Sequence, residues 1–159
     1  MLKAVFLELD DQISVYNSAT REEGYVRLGQ SIFKVLGQSA LFEANFGIEL
    51  RVTHDVDAYV QANHWVVEKF NELLAKIGKH YDIHSDEIWM PAETIYEPLY
   101  TGVNLQASIA QPEFVMISKA LKAPEKNRDL LANYIKSEAT DIFFELAIKY
   151  KLDIDKVLK

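Results

Sequence analysis

Gly37-Gln-Ser-Ala-Leu-Phe-Glu-Ala-Asn-Phe-Gly-Ile-Glu-Leu-Arg-Val-Thr-His-Asp-Val-Asp57 is the stretch that decides how this chain is read. A β-branched and aromatic run over 31–36 ends at Gly37 and predicts a strand followed by a tight turn. Ser39 then opens a short helix over 39–46, with Gly47 behind it as a C-cap. A helix N-terminus presents free backbone N–H groups and a positive dipole end, so this turn suits a phosphate. Ser39 would either cap the helix or donate to a phosphate oxygen. A second strand is expected over 55–60. Asp55 and Asp57 are two residues apart on it and therefore share a face. Two carboxylates so close repel one another unless a cation lies between them, and hard divalent ions such as Mg²⁺ take oxygen ligands of this kind. The side chain of His54 should face the other way.

Working outward, apolar residues at helical spacing predict a helix over 2–9, and the polar segment 16–29 reads as a loop. Val66, Val67, Phe70, Leu73, Leu74 and Ile77 recur at three- and four-residue spacing and mark a helix over 64–78, closed by Gly78. The segment 83–100 holds Pro91 and Pro98 and reads as irregular. Alternation over 103–109 predicts a strand, with Val103, Leu105, Ala107 and Ile109 on one side. Pro112 opens a helix that Pro124 ends. Helices over 125–136 and 137–150 and a last turn over 153–158 complete the chain. The fold class is therefore α+β: a small mixed sheet flanked by helices, with a helical C-terminal part from 111 onward, all in one domain.

The chain has 159 residues, a formal net charge of −7 and no cysteine. Disulfides, thiolate metal sites and a Cys nucleophile are excluded. The acidic balance argues against broad electrostatic binding to nucleic acid or an anionic membrane. The best local cluster of positive charge is Lys119, Lys122, Lys126 and Arg128. No apolar run approaches a membrane span and the N-terminus does not read as a signal peptide, so a soluble, cytoplasmic protein is expected.

Gly37-x-Ser39-Ala40-Leu41, followed by Arg51-x-Thr53-x-Asp55-x-Asp57, resembles the signature of the minimal nucleotidyltransferase superfamily. Within it the chain looks most like small bacterial nucleotidyltransferase-like proteins related to the toxin half of abortive-infection toxin–antitoxin pairs. The stretch from Pro112 to Ala123, with Lys119, and then Lys126-Asn-Arg128-Asp129, adds to the likeness. The resemblance implies an NTP as substrate or ligand, Mg²⁺ on Asp55 and Asp57, and transfer of a nucleoside monophosphate to a hydroxyl on protein, RNA or a small molecule. It implies phosphate contacts from Gly37 and Ser39, a catalytic Lys119, and a nucleotide cleft that also takes in Arg51, Thr53, Arg128 and Asp129. A cognate antitoxin or another protein partner is implied as well.

The chain departs from that pattern in places. Gln38 stands where many members have a second glycine, and Asn133 where an aspartate is often seen. Many active members carry a third acid on a later strand, whereas 103–109 offers only Asn104, Gln106 and Ser108. Glu93 and Glu97 are close in sequence only. Plainer readings stand beside each element. G-x-S can be a turn with an N-cap, Arg51 can pair with Glu49 or Asp57, and Thr53 can shape its loop. Lys119 can be a solvated helix residue, and the four histidines read as structural. Three outcomes therefore stay open: an enzyme, a non-catalytic nucleotide- or partner-binding module of the same fold, and a structural protein.

Overall fold

A computed structural model describes residues 1–24, 26–45 and 47–159, without the side chains of Glu22 and Glu23. Strand β1 (Ser31–Val35) buries Ser31, Phe33 and Val35 and exposes the residues between them. It pairs antiparallel with β3 (Ala58–Gln61) and parallel with β6 (Leu105–Ala110), and β6 pairs antiparallel with β5 (Tyr96–Thr101). The sheet order is β3-β1-β6-β5. A separate two-stranded parallel pair joins β2 (Asp55–Val56) to β4 (His80–Tyr81). Seven α-helices are present among the described residues, so the α+β class with a mixed sheet stands. The four C-terminal helices, from α4 (Pro112–Lys122) through α5 (Arg128–Ser137) and α6 (Asp141–Lys149) to α7 (Ile154–Leu158), form the expected helical part.

The core grows from the buried face of the sheet. Phe33 of β1, Phe6 of α1 (Leu2–Glu23) and Phe70 of α3 (His64–Ala75) interlock with ring centroids 4.9–5.4 Å apart. The other face of β1 and β6 carries Ile32, Lys34 and Gln106 toward solvent. That one-sided burial explains the alternation legible in the sequence.

Three expectations are corrected. The segment 16–29 is not a loop throughout, because α1 continues to Glu23 and ends at Gly24 in the left-handed conformation. Two of the polar residues that suggested a loop, Asn17 and Thr20, are buried in the helix. Asn17 accepts the Leu28 N–H at 2.7 Å and donates to its carbonyl, so its amide pins the following chain back onto α1. Tyr25, within that segment, and Phe46, at the end of the expected 39–46 helix, lie outside the described residues; α2 itself spans Gly37–Ala44. The strand expected over 55–60 is broken at Asp57, whose carbonyl accepts the Leu36 N–H at 2.8 Å while β2 turns away to β4. The supposedly irregular 83–100 contains β5, which tolerates Pro98 because it is an edge strand and its register shifts between Pro98 and Tyr100.

β5 and β6 are tied to α1 by the buried Asp10. It accepts the Tyr100 hydroxyl at 2.7 Å, the backbone N–H groups of Val103 and Asn104 at 3.1 and 2.8 Å, and the Asn104 side-chain amide at 3.0 Å. Burial pushes the Asp10 carboxyl up, but these donors outweigh it and hold it below the usual range. Asn104, the buried member of the set Asn104, Gln106 and Ser108, is thus committed to the fold.

Candidate functional site

The β2–β4 register builds the site. Asp55 lies opposite His80 and Val56 opposite Tyr81, with the His80 N–H on the His54 carbonyl at 2.9 Å and the Asp82 N–H on the Val56 carbonyl at 3.0 Å. Side chains alternate along a strand, so Asp55-x-Asp57 and His80-x-Asp82 run side by side on one face. His80 pairs with Asp55 through Nε2 and Oδ1, and Asp82 shares a hydrogen bond with Asp57. Burial, then the charges of Asp82 and Asp55, push the half-buried Asp57 carboxyl up to about 6, with Lys119 opposing. Burial pushes the Lys119 ammonium down, Lys126 adds to this, and Asp57 acts against both.

The Gly37–Thr53 segment frames these groups. Gly37 has φ +57°, and a Cβ on it would stand 2.6 Å from Asp57 Oδ2, so the backbone there lies directly against the carboxylate. Ser39 is buried, and its hydroxyl donates to the Asp55 carbonyl at 3.3 Å. Thr53 closes a small turn on Asp55, its hydroxyl donating to the carbonyl and accepting the N–H, both at 3.3 Å. Gln38 donates to the Arg51 carbonyl at 3.2 Å. Gly37→Ala should cost only about 1 kcal/mol through the left-handed backbone, because the atom it strikes ends a side chain that can swing aside. The Asp57 carboxylate should move, and an NMR titration should show its pKa displaced from about 6.

Asp55, Asp57, Asp82, Lys119, Arg51, Thr53, Arg128 and Asp129 all line one cleft of about 820 Å³. Gly37 lines a smaller lobe of about 190 Å³ that shares Asp57, Lys119 and Lys126 with the cleft and adds Lys122. Ser39 is not on either lining; it sits beneath Asp55. Among the described residues, Arg51, Lys126 and Arg128 make no ion pair, and neither do Asp57, Asp82, Glu125 and Asp129. Apart from the Asp55–His80 pair and the attraction between Asp57 and Lys119, acids and bases thus share the cleft without neutralising one another. Glu93 is taken up by Lys149 and Tyr150, at 2.8 and 2.6 Å, and Glu97 accepts from Gln111 at 2.9 Å, so neither reaches the cleft.

The acid that sequence reasoning missed is Asp82, and with it His80. Their one signal was the short His80-Tyr81-Asp82 alternation after Gly78. His54, by contrast, turns to the Gly78 carbonyl at 3.1 Å.

No three His, Asp or Glu side chains among the described residues are arranged to hold a metal ion by themselves. The donors still suit Mg²⁺. That ion is commonly bound by one or two carboxylates, with waters and substrate phosphates completing its shell, and Asp57 and Asp82 are crowded carboxylates whose repulsion a dication would relieve. Compared with known proteins, the chain matches no family model, no curated protein and no solved structure. No helix among the described residues is long and apolar enough to cross a membrane.

Proposed function

We propose that the cleft binds a nucleoside triphosphate together with Mg²⁺, as in the nucleotidyltransferase-like proteins that the chain resembles. The reaction it suits is transfer of a nucleoside monophosphate to a hydroxyl group. The observation that carries this reading is one cleft lined by Asp57, Asp82, Lys119, Lys126 and Arg128, none of which makes an ion pair among the described residues. A magnesium nucleotide brings a dication for Asp55 and Asp57, with Asp82 beside them, and phosphates for Lys119, Lys126 and Arg128, so it complements both halves at once. The smaller lobe, with Lys119, Lys122 and Lys126 against the single acid Asp57, suits the phosphate tail, and the larger cleft suits nucleoside and acceptor. In the transfer, the acceptor oxygen bonds to the α-phosphorus. The bond from that phosphorus to the bridging oxygen breaks, pyrophosphate leaves, and the hydroxyl proton passes to solvent. Mg²⁺ supplies neutralisation of charge on the phosphate oxygens. Lys119 offsets the charge that develops on the leaving group.

A second reading, a nucleotide- or partner-binding module of a toxin–antitoxin type that transfers nothing, is favoured by β6, whose outward face carries Gln106 and Ser108 where an acid is expected. Thermal unfolding with Mg²⁺ and each NTP tests both. Ligand at a hundred times its Kd should add about 2.7 kcal/mol, and for a domain of this size the midpoint should rise by roughly 5–10 °C. No shift with any NTP overturns the binding reading. A shift without transfer of radiolabelled monophosphate to any component of a cell extract selects the module.

A further inference from the structure

We propose that His80 is a positioning residue for the cation site, its imidazole N–H holding one oxygen of Asp55 so that the other is presented to the cleft. The inference rests on the cation reading of the cleft. The backbone places the pair independently of the side chains: Asp55 and His80 are direct neighbours across the parallel β2–β4 ladder, fixed by the 2.9 Å bond from the His80 N–H to the His54 carbonyl. Nε2 of His80 meets Oδ1 of Asp55, while Oδ2 has no hydrogen-bond or ion-pair partner among the described residues. Asp55 lines the cleft.

The pair is not explained by stability. Both side chains are more than half exposed, at 62 and 54 %, and a solvated pair of this kind contributes little to folding. It does, however, remove the rotational freedom of a carboxylate on a two-residue strand. Outer partners that hold a ligating carboxylate in this way change metal affinity by about 10- to 100-fold. The same ladder places Asp82 beside Asp57, so one strand pair supplies an acid to the cation and a donor to its neighbour.

The test is Mn²⁺ binding to the full chain, followed by paramagnetic resonance of the free ion, for wild type, His80→Ala and His80→Gln. Loss of the donor in His80→Ala should weaken Mn²⁺ binding by about tenfold or more. His80→Gln retains a side-chain N–H at comparable reach and should recover most of the affinity. The unfolding midpoints of the metal-free proteins should coincide, which separates positioning from a general structural defect. Equal or tighter Mn²⁺ binding by His80→Ala overturns the inference and leaves the cation reading intact, as does a Gln variant as weak as the Ala variant. A wild type that takes up no Mn²⁺ overturns the inference, and the cation reading then stands or falls on the thermal shift with Mg²⁺ and NTP.

Discussion

Replacing Asp57 with Asn is expected to stabilise the protein above pH 7 while abolishing its response to a magnesium nucleotide. The carboxyl of Asp57 is raised from 3.8 to about 6 by burial and by the charges of Asp82 and Asp55. The native state therefore holds a proton that the unfolded chain has already lost between about pH 4 and 6. By linkage, stability falls as pH rises through that window, and the full penalty persists above it. A shift of about two units corresponds to roughly 3 kcal/mol, which solvent at the cleft mouth reduces to about 1–2 kcal/mol. Asparagine keeps the shape and a hydrogen bond to Asp82 without the charge. Its midpoint should exceed that of wild type by roughly 2–8 °C at pH 8 and approach it below about pH 3, where the wild-type Asp57 carboxyl is largely neutral in both the folded and the unfolded chain. Added Mg²⁺ and NTP should raise the wild-type midpoint and leave the variant where it was. Equal midpoints at pH 8 would mean that Asp57 carries no such penalty.

That penalty also marks what was legible in the sequence. Gly37, Asp55 and Asp57 could be read because their relation is local: a glycine at a strand end and two acids two residues apart. Lys119, Arg128 and Asp129 came from the resemblance, and the cleft contains all three. Asp82 could not be read. It reaches Asp57 through a two-residue parallel ladder between segments some 25 positions apart, and two residues carry no periodicity. Strand β5 was hidden by Pro98, whose presence argues against a central strand but not against an edge. The long α1 was hidden by Asn17 and Thr20, whose side chains are buried in the structure but suggest a loop from composition alone. The helical C-terminal part was legible because Pro112 and Pro124 punctuate it. For Asp82, and for β5, a partner distant in sequence decided the conformation of a short segment.

Asp10→Ala should give the largest loss of stability, about 3–5 kcal/mol, without touching the cleft. Asp10 and Asp57 are both acids withdrawn from water, and their surroundings decide opposite outcomes. Asp57 faces two carboxylates. Asp10 faces four donors, and truncating it strands three of them, the Tyr100 hydroxyl and the backbone N–H groups of Val103 and Asn104, while the Asn104 amide keeps the Asp10 carbonyl at 3.2 Å and the Ser14 hydroxyl at 2.7 Å. Gly102 shows how close that packing is, since a Cβ on it would stand 2.1 Å from Asp10 Oδ2. The sign of the pH effect reverses with the surroundings. A carboxyl held below its unfolded value stabilises the native state above that value, and the contribution is lost as pH falls through the lowered one. Urea titrations at pH 7 should show the Asp10→Ala midpoint far below wild type, with the gap narrowing in acid. Any folded variant protein should still respond to Mg²⁺ and NTP as wild type does. If the nucleotide response disappears with Asp10 while the fold persists, the cleft and this anchor are coupled, and the separation between a stabilising acid and a functional one fails.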